Sequence, residues 1–148
     1  MIKELNNEEI DTLLRSRVVG RIGYQAKGKM FIVPITYCFD GESIIGHSFE
    51  GLKIKSMREN PNVCFQTEEI DNMLNWQSVM VWGEYEEFEG GDARLAMQKF
   101  INRFQTLMPT EMKQHTDGIA AQQLESGGNK TVVYHIKILE KTGRYEKG

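Results

Sequence analysis

Apolar residues recur along the chain in two rhythms. Near the start, Ile10, Leu13 and Leu14 repeat at three and four residues, the spacing of one helix face. Asn6 stands before them as a cap, and Glu9 is placed to reach back as in a capping box. Alternation then takes over. Residues 18–25 (VVGRIGYQ) predict a strand, with Gly20 and Gly23 where the backbone bends or approaches a neighbour. AKGK is a turn, and residues 30–39 (MFIVPITYCF) predict a second strand rich in β-branched and aromatic side chains. Pro34 lies inside it; proline cannot donate to a ladder, so the strand has an edge or a bulge there.

Asp40-Gly41 is a two-residue hairpin signal, and ESIIGHS is the return strand. A short helix is expected over 52–59, stopping at Asn60-Pro61 because the residue before proline avoids helical angles. NVCFQTEE predicts a strand, DNMLNW a loop, and residues 78–89 a long strand. Gly90-Gly91-Asp92 opens a helix with Met97, Phe100, Ile101, Phe104 and Met108 at helical spacing. Residues 131–139 form the last expected strand, and TGRYEKG reads as a polar tail. The strands follow in antiparallel hairpin order with short helices between, and there is no alternating βαβ pattern. A mainly β (β+α) fold is expected: a small barrel with peripheral helices, one domain over 1–148.

Composition narrows the function. The 148 residues carry 18 Lys+Arg against 21 Asp+Glu, a net charge of −3. So mild a balance, with no clustered basic run, argues against nucleic-acid binding. The acidic start MIKELNNEEIDTLL and the lack of a long apolar run predict a cytoplasmic protein without a membrane span. Cys38 and Cys64 match no zinc spacing and are expected as two buried thiols.

The chemistry gathers at one strand-to-helix corner, IIGHSFEGLKIKSMRENPNV. A helix N-terminus offers unpaired N–H groups and the positive end of a dipole. Gly51 permits close backbone approach, Lys53 adds a charge, Ser48 a hydroxyl and His47 a ring N–H. Together they suggest a phosphate seat, with Lys55 and Arg58 on the solvated face. Upstream, Val33-Pro34-Ile35-Thr36-Tyr37 allows two readings. Its unpaired backbone groups suit the donor/acceptor rim of a planar heterocycle, or the strand is an ordinary edge guarded by Pro34.

The order and spacing of several motifs resemble the pyridoxamine 5′-phosphate oxidase-like family of FMN-binding split β-barrels, nearest its nitroimidazole-resistance and flavin-nucleotide-binding branch. The matching pieces are the Gly-rich first strand, P-x-x-Y, the D-G hairpin, H-S-x-x-G-x-K-I, N-P-x-V-C-F, W-x-S-V-x-V-x-G from Trp76 to Gly83, and T-G-R from Thr142 to Arg144. The resemblance implies a homodimer with two FMN molecules in clefts between subunits. It implies that Val33, Pro34, Ile35, Thr36 and Tyr37 line the isoalloxazine. His47, Ser48, Gly51 and Lys53 would face the phosphate and ribityl chain, and Trp76 and Ser78 would approach the flavin from the partner. The basic C-terminal segment of the oxidases proper is matched only by Arg144 and Lys147, which argues against vitamin B6 oxidation. The expected activity is flavin-dependent reduction of a small electron-poor or aromatic compound, with a nicotinamide donor. The alternatives are a flavin carrier or sensor without turnover, and the same barrel holding haem or a deazaflavin.

Overall fold

A computed structural model describes residues 1–106 and 131–148. Its elements are β1 (Lys3–Glu4), α1 (Asn7–Ser16), β2 (Val19–Ala26), β3 (Lys29–Thr36), β4 (Cys38–Phe39), β5 (Ser43–Phe49), α2 (Leu52–Glu59), β6 (Asn62–Asn72), β7 (Asn75–Glu87), α3 (Gly90–Gln105) and β8 (Thr131–Lys147). The strands form one antiparallel sheet in the order β3-β2-β6-β7-β8-β5-β4, with β1 also on β8. β3 and β4 are a single run of chain interrupted only at Tyr37, so the two ends of the sheet are joined covalently. The sheet closes on itself there as a split barrel.

The barrel is filled by alternate residues of every strand. Ile22, Tyr37, Ile44, Phe65, Val79, Val81, Tyr134 and Ile136 meet in its interior. Two helices plug it. α1 contributes Ile10, Leu13 and Leu14 and is started by the expected capping box, with the Glu9 N–H donating to Asn6 Oδ1 at 2.8 Å and the Asn6 N–H to Glu9 Oε1 at 2.9 Å. α2 contributes Ile54 and Met57, and burying each contributes about 1.5–3 kcal/mol. α3 lies outside, where Ala96, Met97 and Phe100 pack on Cys38, Ile45 and Val133 in a second cluster. At Gly20 an added Cβ would fall 2.2 Å from the Phe65 ring, so the predicted close approach there is real.

Three expectations need correction. The expected loop at DNMLNW is a two-residue turn, because β6 and β7 pair out to Asn72↔Asn75 and take Trp76 into a strand. TGRYEKG is no tail: β8 continues through it, paired with β7 on one side and with β1 at Lys3↔Tyr145 and Glu4↔Arg144 on the other. Its polar residues alternate outward, which disguised the strand. Cys38 is buried as expected, whereas Cys64 is only half-buried. Met108, assigned to the α3 stripe, lies outside the described residues.

Candidate functional site

The barrel opens between β3 and β5. β4 pairs with β5 through only two residues, Cys38↔Ile45 and Phe39↔Ile44. Continued backward, that register would set Thr36 opposite His47 and Pro34 opposite Phe49. Instead the chain bends at Tyr37 and β3 joins β2, leaving two strand edges facing a gap. The polarity of the β3 edge follows from one bond. The Tyr37 N–H donates to the Val18 carbonyl at 2.9 Å. Antiparallel pairing alternates, so Ile35 and Val33 turn their backbone groups to β2, while Thr36, Pro34 and Ile32 turn theirs to the opening. Pro34 thus lacks its N–H on the side where β2 offers no partner.

The side chains of this strand divide. Ile35 and Tyr37 are buried in the core and Val33 packs against it; Pro34 and Thr36 are exposed. Tyr37 stands edge-on to Phe65 and its hydroxyl donates to the Leu14 carbonyl at 2.7 Å. Burial raises its pKa well above the usual phenol range. Its side chain therefore holds α1 to the barrel and is not a wall of the opening. Tyr37→Phe should lower stability by about 1 kcal/mol, the worth of one hydrogen bond, and leave ligand binding unchanged. Urea unfolding beside a flavin titration checks both halves.

On the facing strand the expected His-Ser pair is separated. Ile44 belongs to the barrel interior and Ile45 to the α3 cluster, so His47 shares a face with α3 and Ser48 does not. His47 meets Phe100 edge-to-face at 4.8 Å, and Phe100 in turn stacks on Phe104 at 4.7 Å. The Ser48 hydroxyl donates to the Phe49 carbonyl at 3.1 Å. Gly46, just before them, lets Tyr134 lie across β5, since a Cβ would stand 2.7 Å from the phenol oxygen. That hydroxyl is buried without a hydrogen-bond partner among the described residues.

The strand then runs into α2. Gly51 is its N-cap and supplies no side-chain cap bond, and the first turn holds no acid. Lys53 is half-buried, and no carboxylate pairs with it among the described residues. Burial lowers its pKa. Burial, and then the Lys53 charge, lowers that of His47, which is neutral near pH 7. A base depressed on folding is protonated more readily in the unfolded chain, so stability falls as pH drops below the ordinary histidine range near about 6.5. His47→Gln should flatten that acid-side slope relative to wild type, as measured by urea unfolding at a series of pH values.

Trp76 and Ser78 are elsewhere. Both lie on the outer face of β7, where with Met80, Trp82, Thr142 and Arg144 they line a shallow cleft. Ser78 Oγ accepts from Gln66 Nε2 at 3.2 Å. β2 and β6 separate them from β3, a distance of about 14 Å across three strand spacings. Pro34 and Thr36 therefore lie on the unpaired edge of β3, His47 and Ser48 on opposite faces of β5, and Gly51 and Lys53 at the start of α2, where the Lys53 charge acts on His47; Trp76 and Ser78 lie apart on β7.

Sequence reasoning missed Arg58, expected as a solvated charge. Its Nη1 and Nη2 fork onto both carboxylate oxygens of Glu50 at 2.8 and 2.6 Å, and its Nε donates to the Glu87 carboxylate. The acid lies just before the helix and the base in its last turn, so the sequence carries no helical-spacing signal for the pair. Phe100 was seen as core and its contact with His47 was not.

A family model for pyridoxamine 5′-phosphate oxidase matches residues 6–145. The chain belongs to that family. Similar solved structures include a FAD-binding protein from Mesorhizobium loti, 26% identical with a TM-score of 0.74, covering 100% of this chain and 98% of that one. A proposed 5-nitroimidazole antibiotic resistance protein from Bacteroides thetaiotaomicron is 17% identical with a TM-score of 0.72, covering 98% and 89%. The FAD-binding protein of Mycobacterium smegmatis is 19% identical with a TM-score of 0.66, covering 98% of each chain. At these lower identities the likeness shows the fold. A curated relative, an uncharacterized protein of Rhizobium meliloti, is 33% identical over 86 residues; the match spans 58% of this chain and 57% of the relative. Members of the pyridoxamine 5′-phosphate oxidase fold family commonly form dimers, and no helix among the described residues is long and apolar enough to cross a membrane.

Proposed function

We propose that the chain, residues 1–148 acting as one unit in the cytoplasm, is an FMN-dependent reductase that works as a homodimer. The observation that carries the reading is the opening between β3 and β5, flanked by a helix N-terminus with no side-chain cap bond and a half-buried Lys53 with no carboxylate partner among the described residues. The residues fit the group on chemical grounds. The outward carbonyls of Ile32, Pro34 and Thr36 and the N–H groups of Ile32 and Thr36 match a heterocycle rim that both donates and accepts. The α2 amides and Lys53 suit a phosphate dianion. Bound there, the flavin would supply hydride and electron transfer from a nicotinamide donor to a small electron-poor compound, nitroaromatics among them. The neutral His47 ring, on its Phe100 support, presents a proton donor or acceptor at the edge of the opening.

The outer face supports the homodimer. The registers Gly23↔Ile32, Gly23↔Cys64 and Cys64↔Trp82 put Ile32, Cys64 and Trp82 in one row across four strands. Met30 and Leu139 flank it, and these large side chains are widely exposed: Ile32 74%, Met30 63%, Leu139 60%, Trp82 41%. A second copy laid on this face covers the row and carries Trp76 and Ser78 toward the neighbour's opening, the role that one subunit alone denies them. FMN is the form proposed because the seat offers charge for one phosphate group.

The absorption spectrum of the purified protein tests the reading first. Flavin bands, followed by oxidation of added nicotinamide with a nitroaromatic acceptor, support it. A yellow protein that never consumes the donor is a carrier, and a red one holds haem; either result overturns the reductase.

A further inference from the structure

We infer that the Tyr134 hydroxyl is a contact of the bound flavin, donating a hydrogen bond to a ring carbonyl at the closed end of the opening between β3 and β5; the inference rests on the flavin reading above. Tyr134 is fully buried in the barrel, and its hydroxyl has no hydrogen-bond partner among the described residues. A buried tyrosine hydroxyl ordinarily finds a partner, and one left without it costs a desolvation that phenylalanine of the same shape avoids. The neighbouring core tyrosines obey that rule. Tyr85, whose ring lies 5.2 Å from that of Tyr134, donates to Glu87 Oε1 at 2.8 Å, and Tyr37 donates to the Leu14 carbonyl at 2.7 Å.

The position of the hydroxyl decides what can answer it. Tyr134 stands on β8 opposite Gly46, and the far end of its ring lies over that glycine: an added Cβ would fall 2.7 Å from the phenol oxygen and 2.7 Å from Cζ. The side chain thus crosses one strand spacing, about 4.8 Å, from β8 to β5. Gly46 is the first residue of β5 beyond Cys38↔Ile45, where its pairing with β4 ends. From there on, β5 has β8 along one edge and the opening along the other. The hydroxyl therefore sits where the barrel wall stops. Glycine also weakens a strand interior, so two residues give up stability to place one hydroxyl at this point. Across the opening, Pro34 and Thr36 turn their backbone groups outward, and Thr36 falls opposite His47, one residue from Gly46, in the continued register. The hydroxyl and this β3 edge border the same end of the opening, so the part of a flavin that reaches both is the ring. Its carbonyl oxygens are acceptors, and burial, which raises the Tyr134 pKa, keeps the phenol a donor.

Wild type and Tyr134→Phe, both stripped of ligand, are titrated with FMN, riboflavin and lumiflavin by fluorescence quenching; lumiflavin is the bare ring with a methyl group in place of the chain. Both proteins are also unfolded in urea without ligand. Tyr134→Phe should weaken all three flavins by a similar factor, about three- to tenfold, the worth of one hydrogen bond. Without ligand it should unfold at a higher urea concentration than wild type, because the unanswered hydroxyl is gone and the ring's packing is kept. A purely structural hydroxyl cannot give both results, since removing a satisfied hydroxyl lowers the midpoint. A lower urea midpoint in the variant therefore overturns the inference. A loss confined to FMN and riboflavin also overturns it, by placing the hydroxyl on the chain and not the ring. A wild type that binds none of the three overturns the flavin reading and this inference with it. A wild type that binds all three, with Tyr134→Phe binding them as tightly, overturns this inference alone.

Discussion

Replacing Lys53 with alanine should weaken FMN about ten- to a hundredfold and leave riboflavin where it was. The lysine is half-buried at the first turn of α2, and its pKa is lowered by that burial. A cation held so, with no carboxylate paired to it among the described residues, is a local cost to the fold that an incoming phosphate relieves. A charge-assisted hydrogen bond is worth roughly 1.5–3 kcal/mol, hence the expected factor. Riboflavin carries the same ring without the phosphate, so it reports the rest of the site alone. Added salt should narrow the wild-type preference for FMN, because the contact is electrostatic and partly open. Raising the pH through the depressed lysine pKa should narrow it as well, since the neutral amine keeps a hydrogen bond and loses the charge. If Lys53→Ala leaves both affinities alone, this lysine is one more solvated helix residue and the phosphate is held elsewhere.

A comparable effect is expected on assembly from Trp82→Glu. Sedimentation of the wild type should give about twice the 17.0 kDa chain mass. Trp82 sits in the exposed row with Ile32 and Cys64, and a two-fold interface presents every substitution twice. Losing about 1.5–3 kcal/mol of apolar burial on each side raises the dimer dissociation constant by roughly 10²- to 10⁴-fold, before the cost of burying two carboxylates is added. The variant should run as a monomer at micromolar concentration. It should also lose FMN, although Trp82 is remote from the opening of its own subunit. A monomer that keeps wild-type FMN affinity would falsify the shared-site arrangement.

The sequence is most informative where a single residue forces the backbone. Pro61 ends α2 at Glu59 and Asn6 starts α1, and both bounds are found as expected. Pro34 marks β3 as an edge or bulged strand, because a missing donor is tolerated in few other places, and β3 is found at one end of the sheet order. It is least informative where many weak pairings act together. TGRYEKG has the composition of a tail, and only its two neighbours, β7 and β1, make it a strand. The break at Tyr37 is invisible locally, because residues 30–39 read as one unbroken strand; it follows from closing the sheet. The division of His47 from Ser48 was within reach, since strand side chains alternate. What covers the His47 face is α3, more than forty residues downstream, and no local pattern announces that. Arg58 is exposed as expected, and only its partners went unread, for a related reason. Its exposure is ordinary, and what sets it apart is which carboxylates it occupies.

β8 joins the barrel's two halves: it pairs with β7 along one edge, with β5 along the other, and with β1 at its far end. The consequence concerns time. Until residues 131–147 have been synthesised, β5 has only the two-residue β4 beside it among the described strands, and β7 presents one bare edge. Closure then requires residue 43 to meet residue 137, a loop whose ordering entropy must be met before any contact rewards it. Pairings this distant in sequence form slowly. A nascent chain therefore holds an unclosed sheet through most of its translation, with the β5 and β7 edges as the surfaces at which two unfinished chains would associate wrongly.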